Sequence, residues 1–255
     1  MYICGSMYSE QFLSSLENKD NIRDDAAYYT NNRVYARFIQ EYIEVKQLDN
    51  GDISWRAVDE IPYYESDFDF NTSFGLFRSE NRGEFGGTLT TPKTTIRGNF
   101  LKLFECNGKV YAIDTLNHMG IAHTKIYEFN SESEYKILFE TNIDEMLSLS
   151  ALTISEHSVY ILISGAVLGE DHTFTGSKSR SILFEINMNG LTRSGVFDTE
   201  LHYVYNMIIH NRKMILGMDK LVAVVDIADN SIQAFSPLTL EAENDIQKTS
   251  DEWQI

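Results

Sequence analysis

Between Leu101 and Phe235 the chain alternates short apolar runs with polar turns, and the same order of runs occurs three times. In the first copy Leu103-Phe104-Glu105 leads through Cys106-Asn107-Gly108-Lys109 into Val110-Tyr111-Ala112-Ile113. The second reads Leu152-Thr153-Ile154, Ser155-Glu156-His157-Ser158 and Val159-Tyr160-Ile161-Leu162; the third reads Met207-Ile208-Ile209, His210-Asn211-Arg212-Lys213 and Met214-Ile215-Leu216-Gly217. Two apolar runs separated by a short polar turn predict a β-hairpin. A third run follows in each copy, as Ile126-Tyr127-Glu128-Phe129, Leu183-Phe184-Glu185-Ile186 and Val224-Val225-Asp226-Ile227, with an acid at the same beat. A fourth closes it, through Ile137-Leu138-Phe139, Gly195-Val196-Phe197 and Gln233-Ala234-Phe235. The pattern predicts three antiparallel units of four strands, over 101–145, 146–200 and 201–238.

Ahead of these units, Arg33 to Lys46 and Ile53 to Val58 read as strands joined across Asp49-Asn50-Gly51, where Asn-Gly supplies the positive φ angles of a tight hairpin turn. A second hairpin is predicted from Phe74 to Thr90 across Glu80-Asn81-Arg82-Gly83. Phe12, Leu13 and Leu16 fall on a helical spacing and predict a short amphipathic helix over 9–17.

Copied four-stranded units resemble the blades of β-propeller proteins in the broad sense. The Gly-His and Trp-Asp landmarks of WD repeats are missing, so no narrower family is identified. The resemblance implies an all-β, propeller-like single domain of four or five blades across 1–255, because this length cannot supply seven units of roughly 40–45 residues. It also implies that second-to-third strand connections and links between units gather at one rim. The long connections expected there are Asp114 to Thr124 and Ser164 to Arg180, with a short one at Met218-Asp219-Lys220. An acidic tail, 239–255, follows the last unit and ends in Trp253.

Composition agrees with one large core: 43% of residues are hydrophobic and 12% aromatic, and only three are proline. Cys4 and Cys106 lie far apart, which argues against a disulfide framework. No basic residue precedes Lys19, and the longest apolar runs fall short of the roughly 18 residues of a membrane span, so a cytoplasmic protein with no membrane partner is expected. The balance of 21 basic to 38 acidic residues, a net charge of −17, repels phosphate backbones and excludes general nucleic-acid binding. The same field speeds encounter with a basic protein.

The most unusual local stretch runs from Asp59 to Phe77, acidic with no basic residue before Arg78, with Asp67-Phe68-Asp69-Phe70 in strict alternation and Tyr63 and Tyr64 just before it. As a strand it puts both aspartates on one face and both aromatics on the other. One reading is an edge strand with acids in water; the other is a binding face where Tyr63, Tyr64, Asp67 and Asp69 capture Lys or Arg. The stretch fails as a calcium loop, since Thr72 and Arg78 stand where Gly and Glu are required. The expected rim also gathers His118, His123, Glu170, Asp171, His172 and His202, read as binding residues, while His157 and His210 are read as turn residues. The third-strand acids, with Glu44 as an earlier counterpart, are expected to do a repeated structural job.

No nucleophile elbow, phosphate loop, dinucleotide turn or paired-cysteine motif occurs, and no catalytic residue, metal or cofactor is assigned. The leading expectation is a non-catalytic protein-binding module with an acidic, aromatic-bearing face for a basic protein. An immunity protein that neutralises a cationic toxin is one concrete form. Two alternatives stand beside it: a carbohydrate-active hydrolase or lyase using carboxylates among Asp114, Glu170, Asp171 and Asp198, and a structural subunit of a larger assembly.

Overall fold

The computed structural model describes residues 16–19, 42–48, 51–58, 67–118, 121–155, 158–169, 178–198, 201, 204–218 and 222–237. Among them the protein is all-β, with nineteen strands in five antiparallel sheets and one turn of 3-10 helix at Gly83–Phe85. The first three strands are β1 (Leu16–Lys19), β2 (Tyr42–Gln47) and β3 (Ile53–Val58). A short-stranded sheet follows: β4 (Asp67–Thr72), β5 (Gly75–Glu80), β6 (Thr88–Thr90) and β7 (Thr95–Arg97). The first copied unit is β8 (Phe100–Cys106), β9 (Lys109–His118), β10 (Ile121–Phe129) and β11 (Tyr135–Glu140). The second is β12 (Glu145–Ser155), β13 (Ser158–Val167), β14 (Lys178–Asn187) and β15 (Gly190–Phe197). The third is β16 (Val204–His210), β17 (Lys213–Met218), β18 (Val222–Asp226) and β19 (Ile232–Pro237). Within each copy neighbouring strands are consecutive in sequence. No helix among the described residues is long and apolar enough to cross a membrane.

The chain divides into two compact units, Tyr63–His202, and Met1–Pro62 together with Tyr203–Ile255. In the 63–202 unit three sheets stack, and the middle one, β8–β11, is covered on both faces. Strand alternation does the sorting: Val110 and Ala112 of β9 join Phe77, Leu89 and Phe129 in one core, while Tyr111 and Ile113 join Leu147, Ile161 and Ile182 in the other. Burial on both sides is why β9 reads as a continuous apolar run and is buried without a break from Val110 to Thr115. Each fully buried Phe or Ile contributes about 1.5–3 kcal/mol.

The hairpin turns follow local chemistry. Asn107 (φ 53°) and Gly108 (φ 74°) form a two-residue turn with both φ positive, matched to strand twist. The third copy uses Asn211 (φ 49°) and Arg212 (φ 61°), and accepts a left-handed arginine at a cost of about 1–2 kcal/mol.

Hydrogen bonds close the ends of each stacked sheet and, at the opposite end, also join neighbouring sheets. At one end Gly98 N donates to Gly87 O (3.0 Å), Asn99 Nδ2 to Gly83 O (2.8 Å), Thr141 N to Thr124 O (3.0 Å) and Leu168 N to Asp144 O (2.8 Å). At the opposite end Lys93 bridges to Glu132 (2.8 Å), and Ser73 N donates to Glu105. Buried hydroxyls add cross-ties: Thr124 Oγ1 donates to Leu147 O and Thr115 Oγ1 accepts from Leu149 N, each 3.0 Å.

In the other unit β1 pairs antiparallel with β19, as the fifth strand of the sheet β1-β19-β18-β17-β16. The β2–β3 hairpin packs on this sheet through Ile43, Val45 and Ile53 against Ile215, Val222 and Val224. Asn206 docks it: Oδ1 accepts from Val45 N (2.9 Å) and Nδ2 donates to Val45 O, so one side-chain amide imitates a neighbouring strand. Gly217 permits the approach, since a Cβ there would sit 2.0 Å from Ile43 O.

Two expectations are corrected. Of the connection expected from Asp114 to Thr124, residues 114–118 and 121–124 are strand: β9 and β10 stay in register out to His118 opposite Ile121, because their backbone ladder continues past the core. The second connection is shorter than expected for the same reason, with β13 running to Val167 and β14 starting at Lys178. Of the helix expected over 9–17, only Leu16 and Glu17 are described, and they belong to β1. The tail 239–255 lies outside the described residues.

Candidate functional site

The alternating acidic segment forms β4, the edge strand of the sheet β4-β5-β6-β7. Asp67 and Asp69 are exposed, whereas Phe68 and Phe70 are half-buried and pack, with Phe74, on the core shared by this sheet and β8–β11. Register supplies what the linear sequence hides. Asp69 stands directly across from Arg78, whose Nε and Nη2 donate to Oδ1 (2.8 Å) and Oδ2 (3.0 Å). The Arg78 guanidinium, through these hydrogen bonds, holds the Asp69 carboxyl below its ordinary value. Asp67 lies across from Glu80, and Arg82 bridges to Glu80 at 3.3 Å. Asp67 Oδ1 accepts the backbone N–H of Asn81 (2.9 Å).

These side chains, with Phe68 and Ser79, line an open depression of about 550 Å³. Both arginines are held by carboxylates, and Asp67 has no basic partner among the described residues.

His118 and His123 sit on the β9–β10 hairpin. His118 is exposed at its tip. His123 reaches Asp114 at 3.3 Å, and Asp114 is buried and accepts the N–H of Asn99 at 2.7 Å. Its carboxylate therefore fixes the link between β7 and β8. Asp67, His118 and His123 share one end of the 63–202 unit, at the starts of β4 and β10 and the end of β9. Tyr63, Tyr64, Glu170, Asp171, His172 and His202 lie outside the described residues. Of the carboxylates considered for glycoside chemistry, Asp114 is buried in this network, Asp198 is exposed, and the other two are the undescribed Glu170 and Asp171. Among the described residues no three of His, Cys, Asp and Glu cluster as metal ligands.

The recurrent third-strand acids are bonded across their sheets. Glu128 is buried and accepts from Lys109 Nζ (3.0 Å), Lys136 Nζ (2.9 Å) and Tyr111 Oη (3.2 Å). Burial would raise its carboxyl, but hydrogen bonds and charge from Lys136 and Lys109 outweigh that and hold it below its ordinary value. Burial, aided by the Glu128 charge and hydrogen bond, pushes the Tyr111 hydroxyl up. Glu185 accepts from Ser158 Oγ (2.8 Å) and Asn187 Nδ2 (3.0 Å), Asp226 faces Lys213 at 4.0 Å, and Glu44 pairs with Arg56. A partner at the start of the second strand thus recurs as Lys109, Ser158 and Lys213.

Sequence reasoning missed three apolar side chains at the end that carries Asp67. Phe85 (86% exposed) follows β5, Ile121 (58%) opens β10, and Ile143 (90%) lies between β11 and β12. Their only linear signal is a large apolar residue inside a predicted connection, as for Ile121 and Ile143, or just after a predicted turn, as for Phe85. No family model matches the chain, and no curated protein matches it in sequence.

Proposed function

We propose that this chain is a β-propeller-like repeat protein that acts as a non-catalytic binding module for a basic protein partner. Three consecutive four-stranded meanders with blade-like strand order, two of them stacked with β4–β7 in one unit, support the architectural part. The functional part is carried by one observation: at the depression beside β4 the arginines are already neutralised by Asp69 and Glu80, while Asp67 faces solvent without a basic partner among the described residues. With a net charge of −17 behind it, such a surface attracts and orients a Lys- or Arg-bearing partner. An immunity protein that masks a cationic toxin is one biological form of this activity.

Affinity capture from the native host at low and high ionic strength tests the reading, followed by titration with the purified captured protein. The expected partner is basic, and its affinity falls steeply between about 50 and 500 mM salt as the Debye length contracts. D67N lowers the association rate more than it raises the dissociation rate. A partner of acidic character, or an affinity indifferent to salt, would refute the proposal.

A further inference from the structure

We infer that the end of the 63–202 unit bearing Asp67 is an amphipathic docking surface, on which Phe85, Ile121 and Ile143 seat large apolar side chains of the same basic partner. The inference rests on the electrostatic reading above and adds the source of short-range affinity, since exposed charge pairs steer an encounter but stabilise a complex weakly.

The placement comes from strand direction and from the hydrogen bonds that join the sheets. Phe85 lies in the connection that leaves β5 just after Glu80, next to the depression. Asn99 Nδ2 fixes the backbone at Gly83 within that connection, and Asn99 N is bound by Asp114 of β9. Ile121 opens β10 opposite His118, and the ladder from there runs to Thr124, whose carbonyl accepts from Thr141 N two residues before Ile143. The β5–β6 connection, the start of β10 and the β11–β12 connection therefore each offer one exposed apolar side chain at the same end. Packed sheets lie about 10 Å apart, so the three span on the order of 20 Å, the width of a standard interface of about 800 Å² per partner. Isolated surface apolar residues need no explanation, but a row of them beside a depression whose Asp67 has no basic partner among the described residues does.

The electrostatics at this end select the occupant. Besides Arg78 and Arg82, Lys125 is bridged to Glu140 at 2.7 Å and Arg180 to Glu145 at 3.2 Å, so four cations around the row are already held by carboxylates, while Arg97 and Lys178, exposed at the same end, have no ion pair among the described residues. With a net charge of −17 behind this end, an apolar partner rich in Lys or Arg is favoured over an acidic one. A basic side chain enters the depression towards Asp67, and flanking apolar side chains cover Phe85, Ile121 and Ile143.

Two synthetic peptides of equal length and lysine content test this, one with leucine and phenylalanine between the lysines and one with serine. The apolar peptide is expected to bind about tenfold more tightly, as a small cluster of anchors provides. The triple variant F85S/I121S/I143S should bring the two affinities together. A control triple at the opposite end of the same unit, L76S/I154S/M188S, replaces side chains that are also exposed and should preserve the difference. Equal affinities for the wild type, or loss of the difference in the control triple, would overturn the docking surface and leave the electrostatic proposal standing. Failure of both peptides to bind at low salt would overturn both. Concentration-dependent dimerisation abolished by F85S/I121S/I143S would overturn the assigned occupant, making the row an interface between two copies.

Discussion

Replacing Glu128 with glutamine probes the internal electrostatics of the first copied unit. The wild-type carboxylate accepts from two ammonium groups and a buried tyrosine hydroxyl, while its own side chain is only 2% exposed. Hydrogen bonds to a buried charge contribute about 1.5–3 kcal/mol each, but Lys109 and Lys136 are 41% and 56% exposed, which reduces their share towards the 0–1 kcal/mol of a solvated pair. Glutamine keeps one acceptor and turns an N–H towards the lysines, so E128Q should lose about 2–3 kcal/mol near neutral pH. Because the folded carboxyl is held below its ordinary value of 4.5, its contribution is complete above that value and disappears as pH falls through the depressed folded value. Urea midpoints at constant slope, taken from neutral pH to the acid limit of folding, read the gap between wild type and E128Q. The gap should close only below about pH 4.5. A gap that persists unchanged into acid, or one no larger than that of E185Q, where the donors are a hydroxyl and an amide, would refute the assignment of charge as the cause.

Three further substitutions test the packing. N206A removes both bonds to the Val45 backbone and should cost about 2–4 kcal/mol in urea denaturation; N206D, which keeps an acceptor but loses the donor to Val45 O, should fall between. F77A deletes a fully buried ring in edge-to-face contact with Phe129 (centroids 5.1 Å) and should cost about 3–5 kcal/mol. G165A would place Cβ 1.9 Å from Met146 O, a clash with backbone, and should destabilise by about 3 kcal/mol or more in thermal unfolding, whereas Gly51 has open space and G51A should show only the smaller cost of its positive φ (87°).

Strand identity and order were legible because alternation, turn chemistry and burial agree locally. The runs at Val110, Val159 and Met214 are second strands, as expected, and Asn107-Gly108 forces its turn whatever surrounds it. The edge position of β4, with aspartates out and aromatics in, followed from four residues in strict alternation. The reach of the β9–β10 hairpin was not legible, because the mostly polar residues from Asp114 onward look like loop while their backbone still pairs. The candidate site depended even less on sequence order: Arg78 neutralises Asp69 only through cross-strand register, and Phe85, Ile121 and Ile143 share an end only because three sheets stack in parallel layers. Side-chain patterning with a period of two is a property of neighbouring residues, so the sequence by itself determined the all-β repeat and the excess of negative charge. Which carboxylates keep a cation, and which exposed apolar groups lie side by side, are set by contacts between residues far apart in the chain, and these only the tertiary structure decided.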